Sequence, residues 1–142
     1  MQVIQIQSAA DIISIDDWDK YLQDGEQFMG TAIRAYETKK KAFSPEVLYN
    51  LVCMAIEKYV MATLMKNGDL AENHTMQDLV YALERHTGPL EIRDDLLFLG
   101  SFQEICDLDT AVYATPTDED MAKIMDIGKR VETLLRNYLV AA

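Results

Sequence analysis

Apolar residues recur every three or four positions along most of the chain, and this spacing predicts α-helices. The first periodic segment runs from Asp16 to Lys41 and predicts one long helix. The second begins at Ser44, the expected N-cap, followed by Pro45 at the first helical position, and it continues to Met65. Apolar residues surround this second helix almost completely. We therefore expect it to lie at the centre of the fold or to be shared with a partner chain.

The same spacing predicts three further helices. They cover Thr75 to His86, a stretch from near Leu90 to Leu108, and the region after Thr117. Thr117 with Asp120 forms an acidic variant of the capping box at the start of the last helix. Gly128 lies on the apolar face of that helix, and its missing side chain would allow a neighbouring helix to approach closely.

The opening residues have a different pattern, with Val3, Ile4 and Ile6 interleaved with glutamines. This predicts an extended arm over residues 1–14, which would be stable only if packed on its own bundle or on a partner's. The chain has 142 residues, 49% of them hydrophobic, which suits one domain. We predict a single domain over residues 1–142, all-α, an antiparallel up-and-down bundle of about five helices with a short N-terminal arm.

The formal net charge of −11 limits which partners the chain can bind. It repels phosphate backbones over the molecule as a whole, which argues against non-specific nucleic-acid binding but leaves room for local basic clusters. Lys39, Lys40 and Lys41 form such a cluster, interpreted as the solvated end of the first helix. The N-terminus has neither a basic start nor a sustained apolar run, so we predict a cytoplasmic protein with no membrane association.

The two cysteines, Cys53 and Cys106, lie far apart inside helical patterns and have no metal-binding or redox spacing. We interpret both as reduced core or groove residues, with a disulfide between them as the alternative. Paired Glu-x-x-His elements, as in di-iron bundles, are absent from the sequence. We therefore predict no metal site and no cofactor.

The central helices resemble those of the HEPN domain family (higher eukaryotes and prokaryotes nucleotide-binding). The similarity covers Ala55-Ile-Glu-Lys58 on the second helix, the Asn67-Gly68 loop and His74-Thr-Met-Gln-Asp-Leu79 at the start of the third helix. The resemblance implies a helical bundle that dimerises. It also implies a toxin–antitoxin setting, with a nucleotidyltransferase-type protein as partner and a nucleotide or RNA as ligand.

The catalytic pair of the family's ribonucleases, an Arg with a His four to six residues on, is missing from this chain. Neither His74 nor His86 follows an arginine at that spacing. Arg136-Asn137 resembles the family's Arg-Asn-x-x-x-His string, but Ala141 stands where the His would fall. Without an imidazole and a cation placed together, phosphodiester cleavage has no visible general base or charge stabiliser. We therefore expect a non-catalytic protein.

Candidate binding residues lie mainly on the second helix. Glu46, Asn50, Cys53 and Glu57 are spaced by four, three and four residues, which predicts one polar stripe, flanked by Lys58. The stripe would face solvent, or else a ligand groove or dimer seam in which Asn50 and Glu57 form hydrogen bonds.

His74 and Arg136 complete the set of ligand or interface candidates, and no catalytic residue is assigned. His74 is expected at the start of the third helix, where backbone, water or a ligand would satisfy it. The leading hypothesis is a HEPN-like homodimeric interaction module. The alternative is a diverged enzyme acting on RNA or nucleotides through His74, Arg136 or Glu57.

Overall fold

The computed structural model describes residues 17–106 and 115–140, without the side chains of 103–106. Five helices account for 78% of the described residues and no strand occurs among them, which confirms the all-α bundle. The helices are α1 (Trp18–Glu37), α2 (Pro45–Lys66), α3 (Met76–Thr87), α4 (Arg93–Cys106) and α5 (Asp118–Val140). The predicted N-terminal arm, residues 1–14, lies outside the described residues.

The predicted helix starts are confirmed at three N-caps. Ser44 accepts a hydrogen bond from the Val47 amide, and Thr75 accepts one from Asp78. The predicted capping box is present at α5. There the Asp120 carboxylate accepts from the Thr117 amide at 2.9 Å, and the Thr117 hydroxyl accepts from the Asp120 amide at 3.1 Å. These bonds satisfy amides that the first helical turn leaves without partners.

α2 is the central helix, as its apolar pattern predicted, and most of its side chains are buried. Among the described residues it is the one helix long and apolar enough to cross a membrane, but 67% of that stretch is buried inside the bundle. That degree of burial is typical of a core helix. The buried side chains of all five helices form one hydrophobic core.

Small residues allow α1 and α5 to approach α2 closely. A Cβ at Gly25 of α1 would lie 2.8 Å from the Tyr59 ring and 3.2 Å from the Ala55 carbonyl oxygen. A Cβ at Gly128 of α5 would lie 2.7 Å from the Met29 side chain and 3.0 Å from Val52. Gly128 therefore marks the close helix approach that the sequence analysis expected.

The connection between α2 and α3 turns back along α2. Asp69, at the start of this connection, contacts His86 at the end of α3, while His74, at its end, contacts Glu57 in the middle of α2. α3 therefore runs in the same general direction as α2, and the alternation of helix direction is interrupted here. α4 then runs antiparallel to α3, since Arg93 at the start of α4 pairs with Glu84 near the end of α3, while Gly100 lies against Met76 at the start of α3.

Candidate functional site

The first half of α2 has one side that no other described helix covers. We call this surface the α2 face; it consists of Glu46, Val47, Asn50, Met54, Glu57 and Lys58. Val47 is 40% exposed and Met54 is 44% exposed, in a helix whose other large apolar side chains are mostly buried. The α2 face lies opposite Val52, which is fully buried against α5.

The predicted polar stripe is therefore only partly correct. Glu46 and Asn50 are exposed and Glu57 is half-exposed, as expected, but Cys53 is buried at 7% exposure. Cys53 lies one turn after Tyr49, on the side of α2 that packs against α4, and so faces the core. Met54 is exposed instead, at the position on this surface where the predicted stripe had Cys53.

Glu57 and His74 are brought together by the returning α2–α3 connection. The Glu57 carboxylate lies 2.7 Å from His74 Nδ1, and the two side chains are 37% and 49% exposed. A carboxylate on Nδ1 orients the imidazole ring and leaves Nε2 facing away from the carboxylate. With this much exposure the pair contributes at most about 1 kcal/mol to stability.

Lys58 and Asn50 flank this pair on the α2 face. The Lys58 ammonium lies over the Tyr21 ring, 4.5 Å from its centroid, so the side chain leans towards α1. The Asn50 amide has no partner among the described residues. The α2 face thus presents a free amide and two apolar side chains between an acidic end at Glu46 and a basic edge at Lys58.

Arg136 does not join the other candidates. Its guanidinium pairs with the Glu26 carboxylate at 3.3 Å, on the side of the bundle where α1 meets α5. Tyr59 lies on that side too, and it is about 200° around the helix from Glu57. The body of α2 therefore separates Arg136 from His74, so the two cannot act on one small substrate within a single chain.

A buried phenol and a carboxylate meet beside Arg136. The Tyr59 hydroxyl donates a hydrogen bond to Glu132, and the Tyr59 side chain is fully buried. Burial, followed by the bond to Glu132 and the negative charges of Glu132 and Glu26, raises the pKa of Tyr59 well above its usual value. Tyr59 is therefore a hydrogen-bond donor and not a nucleophile or base.

The Cys53 thiol is unreactive for a similar reason. Burial raises the pKa of the Cys53 thiol to about 12, with the nearby Glu57 charge adding to the effect and a hydrogen bond with Tyr49 opposing it. Because the thiolate is the reactive form, this cysteine is a poor nucleophile and a poor metal ligand. The prediction that Cys53 lies in the core is confirmed, and Cys53 forms no disulfide with a described residue; the Cys106 side chain lies outside the described residues.

Sequence reasoning missed a second carboxylate–histidine contact. The Asp69 carboxylate accepts from the His86 ring nitrogen at 2.8 Å and from Arg85 at 3.1 Å. Partial burial opposes these bonds, but together with the Leu70 amide they lower the pKa of Asp69. The sequence offered no partner for His86, because Asp69 lies in an irregular loop.

Two grooves lie away from these pairs. One, of about 600 Å³, runs between the turn at Pro89–Ile92 and the outer side of α5. The Arg130 guanidinium on its wall is already bound to Asp95 at 2.6 Å and Asp126 at 2.9 Å. The other, of about 640 Å³, lies between the end of α1 and the start of α5. Within residues 17–106 and 115–140, no group of three or more His, Cys, Asp or Glu side chains could hold a metal ion.

The candidate residues thus fall into two groups. Asn50, Glu57, Lys58 and His74 share one surface, while Arg136 lies on the other side of α2. Comparison with known proteins returned no matching family model, no matching curated protein and no matching solved structure.

Proposed function

We propose that this chain is a non-catalytic, HEPN-like interaction module that forms a homodimer through the α2 face. The observation that carries the proposal is the exposure of Val47 and Met54, at 40% and 44%, on the helix that forms the core of the bundle. Apolar side chains grouped on one surface favour association, because association removes them from water. The free Asn50 amide beside them offers a polar contact at the centre of such a seam.

A second copy can cover the apolar part of the α2 face. A two-fold axis perpendicular to α2 at the level of Val52 would run the two helices antiparallel. Asn50 and Met54 lie two residues on either side of that level, so Asn50 of one chain would face Met54 of the other, twice. Glu46 and Lys58 lie about 120° apart around the helix, so they would flank the seam on opposite edges.

The family resemblance extends the proposal to a further partner. In the HEPN setting this partner is a nucleotidyltransferase-type protein or another enzyme of nucleic acids or nucleotides. The missing Arg-His pair is consistent with a module that binds such an enzyme and does not cleave RNA itself. Purification of a tagged chain from its native host should then recover this enzyme as a stoichiometric partner.

Sedimentation velocity tests the homodimer. The wild-type chain should sediment as a dimer at micromolar concentration, and Met54→Lys should sediment as a monomer because it places a charge in the apolar seam. Leu97→Lys on α4 is the matched control, since Leu97 is 38% exposed but lies outside the α2 face. A monomeric wild type, or equal loss of dimer in both variants, would refute the proposal.

A second candidate function is supported by the contact between Glu57 and His74. A carboxylate-oriented imidazole on a half-exposed side chain can act as a general base, so an enzyme acting on RNA or nucleotides is the alternative. Incubation of the pure chain with total RNA and with nucleotides tests it. Turnover that is abolished in His74→Ala and retained in His86→Ala would support the enzyme; absence of turnover would exclude it.

A further inference from the structure

One edge of the α2 face carries two carboxylates. Glu46 and Glu57 are eleven residues apart in sequence, which is three helical turns plus about 20°, so they lie almost in line along α2. Lys58 follows Glu57 and is about 100° further around the helix, on the opposite edge. Glu46 is exposed, and the Glu57 side chain is 37% exposed. Both carboxylates are therefore open to a partner chain.

The proposed two-fold axis brings these carboxylates together across the seam. Glu46 lies six residues before the level of Val52 and Glu57 lies five residues after it. The rotation reverses the direction of α2 but keeps each edge of the α2 face on the same side of the seam. Glu46 of one copy therefore comes to the level of Glu57 of the other, to within about 1.5 Å along the helix, and this happens twice in the dimer.

His74 is the third member of each of these clusters. Its Nδ1 lies 2.7 Å from Glu57 Oε1, and its side chain is 49% exposed. Each cluster thus consists of one imidazole and two carboxylates, one of which belongs to the second copy. Residues 17–106 and 115–140 of a single chain contain no such group of three. The set is therefore complete only when two chains meet.

The composition of the cluster favours a particular class of cation. Two carboxylates placed together repel one another unless a positive charge lies between them. Lys58 does not supply that charge, because it leans over the Tyr21 ring on the opposite edge. Imidazole nitrogen together with carboxylate oxygen is a ligand set of zinc and related divalent transition metals, whereas magnesium and calcium prefer oxygen alone.

We infer that the homodimer binds two divalent transition-metal ions, one at each acidic edge of the seam. Each ion is held by Glu57 and His74 of one copy and by Glu46 of the other. This inference rests on the proposed homodimer and adds a regulator to it. Because the ligand set is complete only across the seam, the metal binds the dimer more tightly than the monomer and so strengthens association.

Sedimentation equilibrium of the full chain, in zinc chloride and in EDTA, tests the site. Zinc should lower the dissociation constant of the dimer at least about tenfold, because two ions bind per dimer. Magnesium chloride should have a much smaller effect, because magnesium disfavours the imidazole ligand. His74→Ala and Glu46→Gln should still dimerise in EDTA but should lose the response to zinc. His86→Ala is the matched control and should keep it, since His86 pairs with Asp69 outside the α2 face.

The outcomes separate the metal site from the homodimer itself. A dimer that forms in EDTA and is not tightened by zinc would overturn the metal site and leave the homodimer standing. A chain that is monomeric in both solutions would refute the homodimer and the site together. Equal loss of the zinc response in His74→Ala and His86→Ala, or a full response in Glu46→Gln, would overturn the assignment of ligands.

Discussion

Single residues set how closely the helices of this bundle pack. Gly25 and Gly30 both lie on α1, yet their surroundings differ. A Cβ at Gly25 would meet the Tyr59 ring at 2.8 Å and the Ala55 carbonyl oxygen at 3.2 Å. A Cβ at Gly30 would meet only the flexible end of the Arg34 side chain, at 3.2 Å. Gly25 therefore allows close packing of two helices, whereas Gly30 only lowers the stability of its own helix.

Gly25→Ala should destabilise the fold by about 1–3 kcal/mol, because neither the buried ring nor the backbone carbonyl can move away. Gly30→Ala should stabilise it by about 0.5–1 kcal/mol, because alanine favours the helix and the arginine can rotate. Urea unfolding of both variants measures the difference. Equal effects would show that α1 does not pack on α2 through Gly25.

Because of Tyr59 and Cys53, the free energy of unfolding should decrease at alkaline pH. The folded state raises the pKa of Cys53 from its ordinary 9.0 to about 12, and it raises that of Tyr59 above its ordinary 10.0. Both groups hold their protons more tightly when folded. Their contribution to stability is therefore complete below pH 9 and is lost as the pH rises, by up to about 1.4 kcal/mol per pH unit for each group.

Tyr59→Phe should remove part of this dependence. Its unfolding free energy should be about 1–3 kcal/mol lower at neutral pH, because Glu132 loses a donor, and should fall less steeply above pH 10. Urea unfolding between pH 8 and 11 compares the variant with wild type and with Cys53→Ala, which should lose the slope that begins near pH 9. If the unfolding free energy of Tyr59→Phe fell as steeply with pH as that of wild type, the raised pKa of the buried Tyr59 would be contradicted.

Among the larger elements, the α2–α3 connection decides the course of the chain. It returns along α2, and a carboxylate–histidine contact lies at each end of it, His74 to Glu57 and Asp69 to His86. The helix spans and caps could be predicted, since they follow from periodicity and from Ser44, Thr75 and Thr117. The return could not, because it depends on contacts between residues 17 positions apart in sequence.

The same reasoning explains which parts of the candidate site were predictable. Glu57 and Lys58 were identified because helical spacing places them on one side of α2. Cys53 was misplaced because spacing alone does not say where an exposed surface ends, and packing of Tyr49 against α4 decides it. Arg136 was grouped with His74 by family resemblance, and the body of α2 separates them.

Asp69→Ala should loosen the α2–α3 connection without unfolding the bundle. It removes the acceptor of His86, Arg85 and the Leu70 amide together. Hydrogen exchange should become faster at residues 67–75 and stay unchanged in α1 and α5. Asp126→Ala is the control, since Asp126 pairs only with the exposed Arg130 of its own helix. Faster exchange throughout the chain would contradict a local role.

For the molecule as a whole, net charge opposes the association that the α2 face favours. Two copies, each with a formal charge of −11, repel one another. Raising the salt concentration from 0.1 M to 1 M shortens the screening length from about 10 Å to about 3 Å. The dimer should therefore become tighter with salt, as measured by sedimentation equilibrium. A dimer that weakens with salt would indicate contacts dominated by charge and not by Val47 and Met54.

The most direct test of the central claim is a charge pair at the two positions that the proposed two-fold axis brings face to face. Sedimentation equilibrium would compare wild type, Asn50→Lys, Met54→Glu and the double variant. An antiparallel pair of α2 faces predicts a weaker dimer in each single variant, because each places an unpaired charge in the seam. It also predicts recovery in the double variant, because the two introduced charges then attract one another across the axis. Single variants that match wild type, or a double variant weaker than both, would contradict the account.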